Sequence, residues 1–123
     1  MTTALRGESR RRALVTVRSS REIDELFQRG ARSADDLLTV FAADSPSEHS
    51  DTGRIAFIAG KKLGGAVVRN RSKRVLRQTA RSAGGPWPGK DVMLVARPAT
   101  HVATPGDLER SLLRHLRRLE VVK

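Results

Sequence analysis

The spacing of apolar residues predicts a helix near each end of the chain. In SSREIDELFQRG (19–30), apolar side chains fall on one helix face at the i, i+3, i+4 spacing: Ile23, Leu26 and Phe27. Ser19 or Ser20 can cap this helix, and Gly30 can end it. Near the other end, Thr104 fits an N-cap and Pro105 the first helical position. An apolar stripe follows: Leu108, Leu112, Leu113, Leu116 and Leu119.

Three shorter segments predict strands. Apolar residues in 36–44 (DLLTVFAAD) alternate between two faces, and 54–60 (RIAFIAG) has a similar strand composition. The turn-forming residues of 45–53 (SPSEHSDTG) predict the loop that joins these two strands. In 91–99 (DVMLVARPA) the apolar run is continuous, which is typical of a strand buried on both faces. The glycines and prolines of 83–90 predict the loop before it.

A basic segment (61–82) lies between the second and third of these strands and also fits a helix. The order is therefore helix, strand, strand, basic helix, strand, helix. This order predicts an α+β fold, a small sandwich in which helices pack mainly on one side of a sheet. The first residues, which include Arg10, Arg11 and Arg12, predict a basic, flexible N-terminal arm (1–18) ahead of a single domain (19–123).

The charge of the chain narrows the choice of partner. Its 123 residues contain 24 Lys and Arg against 13 Asp and Glu, a formal net charge of +11. Residues 22–60 hold eight acids and three bases, whereas residues 61–81 hold eight bases and no acid. Such segregated positive charge indicates a polyanionic partner, with nucleic acid favoured over an anionic membrane. The chain has no cysteine and no apolar run near the roughly 18 residues that span a bilayer, so cytoplasm is the expected location.

As a helix, residues 68–81 separate into an apolar and a cationic side. The apolar side gathers Val68, Ser72, Val75, Leu76, Thr79 and Ala80. The cations follow one another in steps of four: Arg69, Lys73, Arg77 and Arg81. Like charges at this spacing destabilise an isolated helix, and solvated faces ordinarily mix charge signs, so a polyanion-binding face is favoured. GKKLGG (60–65) does not match the phosphate loop G-x-x-x-x-G-K-[ST]. Gly64 and Gly65 are interpreted as allowing either a sharp turn from strand into helix or a close approach of the backbone to RNA.

The remaining polar and aromatic residues indicate no catalytic centre. The histidines are far apart and are predicted to lie on the surface: His49, His101 and His115. Asp35 and Asp36 leave a divalent-cation site open, although turns and strand starts often have this composition. Phe27 and Phe41 could belong to the core or could present rings that stack on the bases of a single strand.

The segment KKLGGAVVRNRSKRVLRQTAR (61–81) resembles the signature of the protein subunit of bacterial ribonuclease P, centred on the RNR of Arg69, Asn70 and Arg71. The resemblance extends to LFQRG, RIAFIAGKK and DVMLVARP. It implies a mixed central sheet of about four strands with three helices, and a left-handed β-α-β crossover through the RNR helix, which hydrophobic pattern alone does not predict. It also implies a non-catalytic protein, paired 1:1 with a Mg²⁺-dependent catalytic RNA that removes the 5′ leader of precursor tRNA, and the Mg²⁺ would be bound mainly by that RNA.

The resemblance also implies the functional surfaces. The residues expected to bind the catalytic RNA are Lys61, Lys62, Arg69, Asn70, Arg71, Lys73, Arg74 and Arg77. The single-stranded leader would lie in a cleft formed by Ile23, Phe27 and Phe41, and loop 45–53 would be the family's metal-binding region. Three positions depart from the family pattern: Ile23 replaces the usual Phe, Phe41 stands where many members have Tyr, and Gly60 stands where Ser or Thr is frequent.

Two other functions remain open from the residues themselves. A structural RNA-binding protein of ribosomal type would share the fold and the charge without a role in processing. A DNA-binding module could place the basic helix in a major groove, but neither a helix-turn-helix nor a dimer-forming heptad pattern is present.

Overall fold

A four-stranded mixed sheet forms the centre of the protein in a computed structural model, which describes residues 16, 17 and 19–123. The strands are β1 (Ala31–Ala34), β2 (Leu38–Asp44), β3 (Arg54–Ile58) and β4 (Lys90–Ala96). They lie side by side in the order β1-β2-β4-β3. The β1–β2 and β2–β4 pairs are antiparallel, and the β3–β4 pair is parallel. Most of the predicted arm (1–18) falls outside the described residues; Thr16 and Val17 lie beside Ile55 of β3.

Within the described residues, three helices accompany the sheet: α1 (Ser20–Arg29), α2 (Ala66–Ser82) and α3 (Pro105–Arg118). The predicted caps are confirmed, because the Ser19 and Thr104 side chains accept hydrogen bonds from backbone amides in the first turns of α1 and α3. Pro105 begins α3, where its missing N–H leaves no intrahelical bond unmade. The α2 helix connects the parallel strands β3 and β4, and the left hand that the resemblance implies for this crossover stays a prediction.

The hydrophobic pattern does not predict strand β1, although the resemblance implies about four strands. Its sequence, ARSA, has no apolar alternation. The strand exists through its contacts: it pairs along its length with β2, which follows it closely in sequence, and Ser33 is buried against α3 through a hydrogen bond to His115. The composition of these four residues alone indicates neither contact.

Each face of the sheet carries its own core. On one face, α2 and α3 bury the larger cluster, which includes Leu38, Val40, Ile55, Leu76, Val92, Leu94, Leu108, Leu112 and Leu116. On the other face, α1 covers a smaller cluster: Val17, Leu26, Phe41, Ala56 and Met93. The predicted packing of helices mainly on one side is therefore correct for α2 and α3, whereas α1 occupies the opposite face.

A buried ion network attaches α1 to the sheet. Arg54 of β3 is 5% exposed, and its guanidinium donates to both carboxylate oxygens of Asp91 on β4, at 3.2 and 2.7 Å. The same group donates to both carboxylate oxygens of Glu22 on α1, at 3.2 and 3.0 Å. The Ser45 hydroxyl donates to Asp91 at 2.9 Å. Hydrogen bonding from Arg54 lowers the pKa of Glu22, so its carboxylate stays ionised in the folded protein.

Replacing Arg54 with methionine tests this network. We expect Arg54→Met to lower the free energy of unfolding by about 3–5 kcal/mol, because Asp91 would remain buried without a cation. Urea unfolding followed by circular dichroism measures the change. Lys90→Met is the matched control, because Lys90 pairs with the exposed Asp44 and its loss should have a small effect. Equal destabilisation by the two variants would contradict the assignment.

Candidate nucleic-acid interface

A short 3₁₀ turn (Lys61–Leu63) and two glycines lead from β3 into α2. Gly64 has φ 137°, a conformation that residues with a Cβ rarely adopt, and Gly65 occupies the N-cap position. The turn leaves Lys61 and Lys62 exposed beside the start of α2. The structure therefore confirms the interpretation of this glycine pair as a sharp connection between strand and helix.

The α2 helix buries one side and exposes a basic side. Ser72, Leu76, Thr79 and Ala80 are buried, as the helical projection predicts. The predicted cationic stripe, however, is not uniformly exposed: Arg69 and Lys73 are half-buried. Steps of four residues advance about 40° beyond a full turn, so the stripe begins at the flank of the core and reaches the outer face only at its C-terminal end. The exposed polar residues of α2 include Asn70, Arg71, Arg74, Arg77 and Arg81.

We call Lys61, Lys62 and these exposed arginines of α2 the basic surface. Among residues 16, 17 and 19–123, none of its cations forms a salt bridge; the ion pairs there involve Arg54, Lys90, Arg110, Arg114 and His115. The Arg77 guanidinium lies 5.4 Å from the centroid of the Phe57 ring, a cation–π contact that leaves its N–H groups available. The basic surface therefore presents positive charge that no carboxylate in the described part of the chain neutralises.

The three residues of the expected cleft come together on the α1 face of the sheet. The rings of Phe27 and Phe41 meet edge to face, with centroids 5.1 Å apart. Phe27 is 43% exposed, whereas Phe41 is 7% exposed and belongs to the smaller core. Ile23 is half-buried against the same cluster. The choice between core residue and exposed ring is therefore different for the two phenylalanines: Phe41 is a core residue that supports the exposed ring of Phe27.

The acidic residues do not assemble a metal site in the described part of the chain. No group of three or more His, Asp or Glu side chains there could hold a metal ion, and this includes loop 45–53. The Asp35 carboxylate, which the sequence left open as a cation ligand, accepts hydrogen bonds from the amides of Leu37 and Leu38 and from Ser111 and Arg114. These bonds outweigh burial, which alone would raise the pKa of Asp35, and hold the pKa well below its usual range.

The prediction that His115 lies on the surface is wrong. Its ring is fully buried, with Nδ1 2.6 Å from the Ser33 hydroxyl and Nε2 3.2 Å from the Asp35 carboxylate. The arrangement has the residue types of a catalytic triad, but the imidazole has no exposed surface and Ser33 is 8% exposed. The cluster joins β1 to α3 and is structural. Apolar periodicity could not reveal it, because the Ser33 hydroxyl that hydrogen-bonds the buried ring lies 82 residues away in sequence.

The buried histidine makes stability depend on pH. Burial lowers the pKa of His115 and outweighs the attraction of the Asp35 carboxylate. The unfolded chain then binds this proton more readily, so the contribution of His115 is present above the unfolded pKa of about 6.5 and is lost as pH falls. We expect urea unfolding to show lower stability at about pH 5.5 than at about pH 7.5, with a smaller difference in His115→Gln. The control, His49→Gln, should retain the wild-type difference; a wild-type response in His115→Gln would refute the prediction.

No helix in the described part of the chain is both long and apolar enough to cross a membrane.

Comparisons with known proteins agree on one family. The family model described as Ribonuclease P matches residues 12–120. The ribonuclease P protein component of Brevibacillus brevis is 33% identical over 112 residues, which cover 87% of this chain and 84% of the relative. That of Geobacillus kaustophilus is 35% identical over 103 residues, covering 83% and 84%.

Solved structures share the fold. The RNase P protein of Staphylococcus aureus superposes with a TM-score of 0.73 at 22% identity and covers 90% of this chain and 100% of its own. The RNase P protein of Thermotoga maritima gives a TM-score of 0.68 at 21% identity, with 88% and 97% covered. Both comparisons match the α+β architecture of four strands and three helices.

Proposed function

This chain belongs to the ribonuclease P protein family and is a protein component of that tRNA-processing enzyme, and we propose that it binds the enzyme's catalytic RNA through its basic surface. The observation that carries the proposal is the cluster of cations on and before α2 that have no carboxylate partner among the described residues. Arginine guanidinium groups bind phosphate oxygens in pairs of parallel hydrogen bonds, which suits the exposed Arg71, Arg74 and Arg77.

The half-buried cations have a supporting role in this proposal. Arg69 and Lys73 lie on the flank of α2 toward the core, so they reach RNA only along the edge of the surface. Asn70 is exposed between the two arginines of the RNR sequence and can donate and accept hydrogen bonds with its side-chain amide. The expected set from Lys61 to Arg77 thus divides into an exposed centre and a partly buried edge.

The protein contributes electrostatics and positioning to leader removal, and the catalytic groups belong to the RNA. Mg²⁺ bound mainly by that RNA would supply the metal chemistry of leader removal. Cations on α2 reduce the repulsion between phosphates where the catalytic RNA and the precursor converge, and they lower the Mg²⁺ concentration that cleavage requires. We propose one protein for each RNA and a cytoplasmic location.

The 5′ leader of precursor tRNA lies across the α1 face in this proposal. The exposed Phe27 ring offers a platform for one base, while Phe41 beneath it fixes the ring's orientation. Ile23 adds apolar contact but no aromatic face. Leader affinity in this protein therefore depends on Phe27, because base–aromatic stacking contributes roughly 1–3 kcal/mol per base.

The basic surface is tested by the salt dependence of RNA binding. We expect Arg74→Gln to reduce the slope of log affinity against log salt by about 0.7–0.9, because one phosphate contact is lost. Filter binding of the catalytic RNA over a range of salt concentrations measures the slope. Arg110→Gln is the control, because Arg110 lies on α3 and pairs with Asp107. An unchanged slope in Arg74→Gln, or equal changes in both variants, would count against the proposal.

The leader site is tested by comparing two tRNA substrates. We expect Phe27→Ala to weaken binding of precursor tRNA to the reconstituted complex by about 1–3 kcal/mol and to leave mature tRNA binding unchanged. Leader removal at low Mg²⁺ should slow in parallel. Mature tRNA serves as the internal control, because it lacks the leader. Equal losses for the two tRNAs would refute the cleft assignment, and failure of the wild-type protein to stimulate cleavage would favour the ribosomal-type alternative.

A further inference from the structure

A cavity of about 240 Å³ opens between α2 and the segment that leads into α3. Its apolar wall consists of Val75, Ala103, Pro105 and Leu108. Val102, which is adjacent in sequence to this wall, is 72% exposed. The volume lies below the roughly 300–1,000 Å³ of sites for drug-sized molecules, so the cavity suits a single flat ring system.

The polar groups that line the cavity are neutral or basic. Arg71, Gln78 and His101 line it, and no carboxylate of the described residues does. Thr79 also lines it, but its hydroxyl donates to the Val75 carbonyl within α2. The buried His101 Nδ1 has no hydrogen-bond partner among the described residues. The cavity therefore combines an apolar wall, an amide that both donates and accepts, and a guanidinium that attracts anions.

We propose that this cavity binds one unpaired nucleobase of the RNA that the basic surface contacts. Arg71 belongs to both sites, so a chain whose phosphates lie on α2 can direct a base into the cavity. The Gln78 amide can bond the edge of that base, as side-chain amides do at nucleobases, while Val75 and Pro105 contact its face. The inference rests on the proposed function and adds a base-reading site to a surface that otherwise contacts phosphates.

The chemistry of the cavity favours a nucleotide over other occupants. A lipid or apolar peptide would contact the apolar wall but would make no use of the Arg71 guanidinium or the Gln78 amide, which also line the cavity. An acidic peptide would satisfy Arg71 but not the apolar wall. A nucleotide matches both parts, because its phosphate is anionic and its base is flat, largely apolar on its faces and polar at its edge.

Chemical probing of the catalytic RNA tests the proposal. Dimethyl sulfate reports unpaired A and C, and a carbodiimide reagent reports unpaired U and G. We expect wild-type protein to protect one unpaired base that stays reactive with the Gln78→Leu/Ala103→Leu variant, which removes the amide and fills the cavity. Protection of other bases should persist, because the phosphate contacts remain. RNA affinity should fall only about tenfold, because a single base contact is lost. Identical protection by both proteins would overturn the proposal.

Controls separate this inference from the function on which it rests. Gln28→Leu is the control, because it replaces the only other glutamine of the chain, which lies on α1. We expect this variant protein to protect the same base as the wild-type protein. Gln78→Leu alone changes an exposed position. In this variant we expect the base to become partly reactive to the probing reagent and the thermal unfolding temperature to stay unchanged. If wild-type protein binds no RNA, the proposed function and this inference both fail. If free adenosine monophosphate binds and no RNA base is protected, the cavity holds a free nucleotide and the RNA assignment is wrong.

A crosslink provides a second, independent measurement. The chain contains no cysteine, so Val102→Cys introduces a unique thiol beside the cavity. A thiol-linked photoreactive group at this position should crosslink to the base identified by probing, or to its immediate neighbour. Crosslinks scattered over the RNA would contradict the proposal.

Discussion

Arg54 is buried between two carboxylates, and the placement of α1 over the sheet depends on this pairing. A buried guanidinium is tolerated only where hydrogen bonds and opposite charge offset its desolvation, so β3, β4 and α1 must meet at one point. Asp91 and Glu22 supply that charge from β4 and α1. The contact fixes the first turns of α1, and the orientation of the following turn, which carries Phe27, is thereby set. An electrostatic requirement inside the fold thus determines where an aromatic ring meets solvent.

The distribution of ion pairs in the fold explains why the positive charge of the basic surface is not neutralised. The acids that form ion pairs do so away from α2: Glu22 and Asp91 at Arg54, Asp35 at α3, and Asp44 and Asp107 near the protein surface. None of these pairs draws on a cation of residues 61–81. Positive charge on α2 is consequently left to the exterior, while these five carboxylates are neutralised by cations elsewhere in the fold. The net charge alone would not produce such a surface, because the same residues could have been paired with one another.

The sequence predicts much of this architecture because several of its determinants are local. The caps and apolar stripes of α1 and α3, the continuous apolar run of β4 and the acid-free segment of α2 can all be recognised within short windows. Strand β1 could not be predicted, because its four residues show no apolar alternation and it forms by pairing with β2. The burial of His115 could not be predicted, because it depends on Ser33, which lies 82 residues away in sequence. The partial burial of Arg69 and Lys73 follows from the angle at which α2 packs, which helical spacing does not specify. Phe41 was ambiguous for a related reason: its role depends on what covers the second face of the sheet.

The pairing of Thr16 and Val17 with β3 affects the tendency of this protein to self-associate. Outer strands of a sheet have unpaired backbone groups that can recruit strands from other molecules and start aggregation. The Val17 amide donates to the Ile55 carbonyl, so part of the β3 edge is covered by the chain itself. At the opposite edge, β1 is only four residues long and exposes Arg32, two features that discourage strand addition. Strand addition is thus disfavoured at both edges of the sheet, by a backbone contact over part of β3 and by the brevity and charge of β1.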